Sequence, residues 1–105
     1  MNKKFANLAK IFKALSDKNR LEILSRIHTG ELKCKCDKEE CRDATCIKNL
    51  SKSLNVTLPT VSHHVKELVN TGLITTRKEG RWVYCQINKR VFVRACEFLS
   101  KFLRE

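Results

Sequence analysis

The stretch CIKNLSKSLNVTLPTVSHHVKELVNTGLI, residues 46–74, decides the fold. Ile47, Leu50 and Leu54 fall on one face of a short helix, and the polar break Asn55-Val56-Thr57 ends it. Thr57 is a good N-cap type, and Pro59 stands in the first turn of the next helix. From there to about Thr71, Val61, Val65 and Leu68 form one stripe at ~100° per residue, which puts Thr60, His63, Lys66 and Asn70 on the opposite face. A short helix, a tight turn and a second helix with a polar outer face make a helix-turn-helix.

Upstream, Phe5, Leu8, Phe12 and Leu15 recur at helical spacing. Ser16 and Asp17 are cap types that can start a second helix, which carries Leu21, Leu24 and Ile27 toward a core and stops at Gly30. Downstream, Gly72 closes the recognition segment, and LITTRKEGRWVYCQI (73–87) reads as two β-rich runs around a turn with a basic tip. VFVRACEFLSKFLRE (91–105) carries two adjacent apolar stripes, Val91, Ala95, Phe98, Phe102 and Phe92, Cys96, Leu99, Leu103. One stripe suffices for the core, so the other is expected to meet a partner subunit. The fold class is mainly α with a small β-hairpin wing (α+β). It is a winged helix-turn-helix of four helices, two strands and a last helix, dimeric through its first and last helices, and forms one domain over residues 1–105.

A chain of 105 residues has room for one small core. Its 22 Lys and Arg against 11 Asp and Glu give a net charge of +11, which points to a polyanion, with double-stranded DNA the first candidate. Hydrophobic residues at 42%, with one Pro and three Gly, exclude a disordered chain. A helix-turn-helix dimer sets two helices ~34 Å apart on an inverted repeat. Thr57, Thr60, Ser62, His63 and Lys66 are then expected at bases or phosphates with His64 flanking them, and Arg77, Lys78 and Arg81 of the wing at phosphates or the minor groove. The N-terminus MNKKFANLAKIFKAL opens like a basic export signal, but Lys10 and Lys13 interrupt its apolar run, and no run reaches the ~18 residues of a membrane span. A cytoplasmic protein is expected, without a membrane or a small organic substrate as partner. Thiols in that compartment stay reduced and serve as metal or redox ligands.

Between the second helix and residue 46 the periodicity disappears. ELKCKCDKEECRDATC (31–46) sets Cys34, Cys36, Cys41 and Cys46 among charged side chains, with Leu32 the one strong hydrophobe. Lys33, Lys35, Lys38 and Arg42 favour the thiolate form, and such sulfurs suit Zn, Cd, Pb and, by the same softness, arsenite or antimonite. The spacing Cys-x-Cys-x4-Cys-x4-Cys is not the Cys-x-x-Cys of thiol oxidoreductases, and an enzyme is not expected; no catalytic residue is assigned. Cys85 in a strand and Cys96 on an apolar stripe read as small buried hydrophobes, with Cys96 the better candidate for a further site.

The segments IFKALSDKNRLEIL (11–24), LPTVSHHVKELVNTGLI (58–74) and GRWVYCQI (80–87) together resemble the ArsR/SmtB family of prokaryotic metal-sensing repressors. The resemblance implies a homodimer that represses its own resistance or efflux operon and leaves DNA when an inducer binds. Family members carry a Cys-x-Cys run like CVCDL at the first helix of the helix-turn-helix. Here that place is Cys46-Ile47-Lys48, so the resemblance carries over Cys46 alone, and Cys34 and Cys36 lie in an insertion just upstream. The family's Asp and His ligands on the last helix have no counterpart in residues 91–104. Three roles for the cysteines stay open: an inducer site for a soft metal or metalloid, a structural zinc, and a redox or sulfur-responsive switch.

Overall fold

The computed structural model describes residues 3–29, 45–80 and 82–104. Helices α1 (Lys3–Leu15) and α2 (Lys18–Thr29) are followed by a two-residue strand, β1 (Thr45–Cys46), then α3 (Ile47–Leu54) and α4 (Leu58–Asn70). Strands β2 (Ile74–Glu79) and β3 (Trp82–Ile87) form the wing, and α5 (Lys89–Ser100) runs into a short 3₁₀ turn, Lys101–Leu103. The strand order is β1-β3-β2, antiparallel throughout. No described helix is long and apolar enough to cross a membrane.

Local chemistry explains the breaks between elements. Asp17 caps α2, its Oδ1 accepting the backbone N–H groups of Asn19 at 2.8 Å and Arg20 at 3.2 Å. Asn55 ends α3 in the left-handed conformation at φ 54°, a region Asn tolerates, while Val56 N–H bonds back to the Ser51 carbonyl. Gly72 follows α4 at φ 80°, where its N–H donates to Val69 O at 2.9 Å and Leu73 N–H donates to Leu68 O at 3.1 Å. That is the Schellman pair of bonds, which satisfies the last carbonyls and turns the chain into the wing.

A Cβ at Gly72 would lie 3.2 Å from Val91 Cγ2 as well as in the left-handed region. Gly72→Ala is therefore expected to destabilise the fold by about 1–2 kcal/mol, read as a lower urea midpoint at unchanged slope.

The core gathers the five helices and both wing strands. Leu8, Ile11 and Ala14 of α1, Ile23, Leu24 and Ile27 of α2, Leu50 of α3, and Val61, Val65 and Leu68 of α4 are buried together. Leu73, Ile74, Cys85, Val91 and Ala95 complete the cluster. The stripe read for α4 is thus the buried one.

Two expectations for the core differ from the structure. Leu21 is 50% exposed, and Ile23 takes the inward place. At 100° per residue Leu21 lies about 110° round the helix from the centre of Ile23, Leu24 and Ile27. Cys96 is likewise exposed, because the buried face of α5 is centred on Val91, Ala95 and half-buried Phe98. A third difference concerns β1, which aperiodic sequence did not signal.

Candidate functional site

The outer face of α4 is built by what its inner face buries. With Val61, Val65 and Leu68 fixed in the core, Thr57, Thr60, Ser62, His63, Lys66 and Asn70 are left exposed. Thr57 occupies the N-cap position without a side-chain cap bond; its hydroxyl instead lies 2.9 Å from that of Thr60, one donating to the other. The first turn of α4 therefore presents uncommitted backbone N–H groups beside two hydroxyls, an arrangement suited to phosphate oxygens.

The ring centres of His63 and His64 lie 5.7 Å apart, the rings tilted by 56°, but the two differ in burial. His63 is exposed, whereas His64 is half-buried and close enough to the start of α2 to act on Asp17. The Asp17 carboxyl is held below its ordinary range chiefly by the Arg20 backbone N–H, with the Asn19 N–H, His64 and the Arg20 side chain adding to this against partial desolvation. Arg26 Nη1 donates to Ser53 Oγ at 2.6 Å, which joins α2 to α3 and holds the helix-turn-helix against the scaffold.

On the wing, Lys78 is exposed opposite Val83. Arg77 is half-buried opposite Tyr84, with its guanidinium carbon 5.6 Å from the centre of that ring. Gly80 makes the turn at φ 59°. Arg81 lies outside the described residues.

Of the four clustered cysteines, Cys34, Cys36 and Cys41 also lie outside the described residues. Cys46 is described, and its position could not be read from spacing. It is the last residue of β1, opposite Tyr84 in β3, and at the same time the N-cap of α3, without a side-chain cap bond. It is 5% exposed yet lines a cavity of about 250 Å³ shared with Lys48, Leu58, Ser62, Trp82 and Val83. One residue thus stands at the start of α3, beside β3 of the wing, and on a cavity that the start of the recognition helix also lines.

Cys85 is fully buried, and burial first, with neighbouring Cys46 second, pushes its thiol up to about 12. It stays protonated at neutral pH and packs as a small hydrophobe. Among the described residues no group of three or more His, Cys, Asp or Glu could hold a metal ion. Sequence reasoning passed over Lys48 and Trp82, whose Nζ and ring centre lie 5.4 Å apart. They are 34 positions apart with no shared periodicity, so no sequence signal joins them.

Residues 41–76 match the family described as "Bacterial regulatory protein, arsR family". The arsenical resistance operon repressor of Staphylococcus aureus is 39% identical over 87 residues, 83% of this chain and 71% of that protein. The cadmium resistance transcriptional regulatory protein CadC of Listeria innocua is 30% identical over 95 residues, 90% of this chain and 69% of that one. A crystal structure of an ArsR family transcriptional regulator matches with a TM-score of 0.75 at 28% identity, covering 93% of this chain and 88% of the other. With the helix-turn-helix and wing in place, and similarity over most of its own length and of its relatives', the chain belongs to the arsR family of bacterial regulatory proteins and is a DNA-binding transcriptional regulator, not an enzyme.

Proposed function

We propose that this chain is a homodimeric repressor of the prokaryotic cytoplasm that binds an inverted-repeat operator and releases it when a soft metal or metalloid binds its cysteine thiolates. Residues 1–105 form one winged-helix unit in this reading, with the Cys-rich insertion at about 31–46 as its sensor. The single observation that carries it is the place of Cys46, buried where α3, α4 and the wing converge. A ligand drawn to that thiol would act beside the starts of α3 and α4 and the strand β3, where a change in packing reaches the DNA-reading elements.

Cys34, Cys36 and Cys41 would supply the other sulfurs. Soft thiolates fit arsenite, antimonite, Cd, Pb or Zn better than they fit a hard cation. With arsenous acid the chemistry balances simply, since each As–S bond that forms releases one water from an As–OH and a thiol proton. The names of the arsenical and cadmium resistance relatives support this class of inducer for the chain.

The dimer rests on what one subunit leaves uncovered. Phe102 is 72% and Leu103 86% exposed, and Phe5, Val93 and Leu99 are also exposed, all on the first and last helices or the terminal 3₁₀ turn. Phe98 bridges them by ring contacts to Phe5, Phe12 and Phe102. A continuous aromatic surface of this kind is what a second copy would cover.

DNA contacts are assigned to Thr57, Thr60, Ser62, His63, His64, Lys66, Arg77, Lys78 and Arg81. In the test, fluorescence anisotropy follows reduced protein on its own upstream DNA with and without equimolar arsenite at one salt concentration. Weakening of about 5–150-fold is expected, the span of a typical allosteric coupling. Undiminished binding together with a tightly held stoichiometric zinc would instead make the insertion a structural clip. The exposure of Cys96 supports a second reading, in which oxidation pairs it with an insertion thiol; loss of DNA binding on oxidation that Cys96→Ser prevents would identify that switch.

A further inference from the structure

We infer that Lys48 is the positioning residue that transmits a ligand on Cys46 to the wing, through its contact with Trp82. The inference rests on the proposed sensor role of the cysteines and names the route by which that site would reach the DNA-reading elements.

Cys46 is the N-cap of α3, and Lys48 lies two residues on, in the first turn. A cation there faces the positive end of the helix dipole, an unfavourable place that helix formation does not explain. What its position gains is the ring of Trp82, 5.4 Å from Nζ. Trp82 opens β3, the central strand of the sheet, and pairs with Glu79 at the far end of the wing strands. The contact therefore ties the start of α3 to the outer part of the wing.

The cavity beside it makes the tie sensitive. Its roughly 250 Å³ are lined by Cys46, by Lys48 and Trp82, and by Leu58 and Ser62 of the recognition helix. A change of backbone angle at the Cys46 cap rotates the first turn of α3 and carries Lys48 with it. The Cys46 thiol makes no cap bond, so ligand binding there does not have to break one. Movement of Lys48 away from the ring loosens the outer part of the wing from α3, while the β1–β3 pairing still holds the middle of β3, and the two parts of the DNA-reading surface shift relative to one another.

The chain contains a single tryptophan, so its emission reports the surroundings of the Trp82 ring, the Lys48 ammonium among them. The experiment uses the full-length reduced protein and its own upstream DNA, with sodium arsenite as the probe. It compares the parent with Lys48→Met, which keeps the length and loses the charge, and Lys48→Arg, which keeps the cation. In the parent, Trp82 emission is expected to change over the same arsenite range that releases DNA. In Lys48→Met the ratio of DNA affinities without and with arsenite is expected to shrink about two- to fivefold, the worth of one partly exposed cation–π contact. Lys48→Arg is expected to retain the parent's response.

Three results overturn the coupling and leave the sensor standing: release of DNA with Trp82 emission unchanged, a full release ratio in Lys48→Met, or a salt dependence in Lys48→Met lowered by about one phosphate contact, which would make Lys48 a DNA ligand instead. Failure of arsenite to release the parent from DNA overturns the sensor reading and the coupling with it.

Discussion

Leu68→Ala is expected to lower the stability of the fold by about 2–5 kcal/mol, more than the loss expected at Gly72. Leu68 is fully buried, and it belongs to the α4 stripe that packs into a core shared with every other helix. Removing its branched end deletes apolar contact and leaves a cavity that rigid helix ends cannot collapse to fill. One of those ends is α4 itself, whose Schellman turn uses the Leu68 carbonyl. Against a total stability of about 5–15 kcal/mol for a domain, a loss of this size brings the protein close to unfolding. Urea denaturation should show a lower midpoint at unchanged slope. DNA affinity should recover at low temperature or high protein concentration wherever the residual fold is populated. A stability within about 0.5 kcal/mol of the parent would mean that α4 is not anchored through this side chain, as surface substitutions typically behave.

The second large effect is on DNA binding. Each chain carries a net charge of +11, and the exposed face of α4 and the wing concentrate hydroxyls and cations at one surface. A dimer making about 6–10 phosphate contacts should lose roughly 10³–10⁵-fold in affinity between about 50 and 200 mM salt, through the release of condensed counterions. Lys66 lies on the exposed side of the recognition helix, so Lys66→Ala should reduce the slope of log K against log salt by about one while leaving stability nearly unchanged. Anisotropy titrations at several salt concentrations read both quantities. A flat salt response would contradict a DNA-binding surface built on these residues.

The residues of α4 show why part of the site was legible in the sequence. Val61, Val65 and Leu68 repeat at a helical period, and burying them leaves Thr60, His63 and Lys66 outward whatever the helix packs against. Asp17, Asn55 and Gly72 were equally readable, because caps and left-handed turns depend on a residue's own side chain and its nearest backbone. The four cysteines between residues 31 and 46, on which the proposed sensor rests, are likewise visible in the sequence.

Leu21 and Cys96 mark the limit. Each lies on the flank of an apolar stripe, and periodicity does not say how wide a face the neighbouring elements will cover. The two-residue strand at Thr45–Cys46 has no pattern of its own, and it exists because β3 offers an edge on which it can pair. The helices, the turns and the charge were thus determined by the sequence, through interactions spanning a few residues. Only the tertiary structure decided that Cys46 faces the starts of α3 and α4 and that Lys48 meets Trp82, because those contacts join residues far apart in the chain whose distance is set by the packing of the whole core.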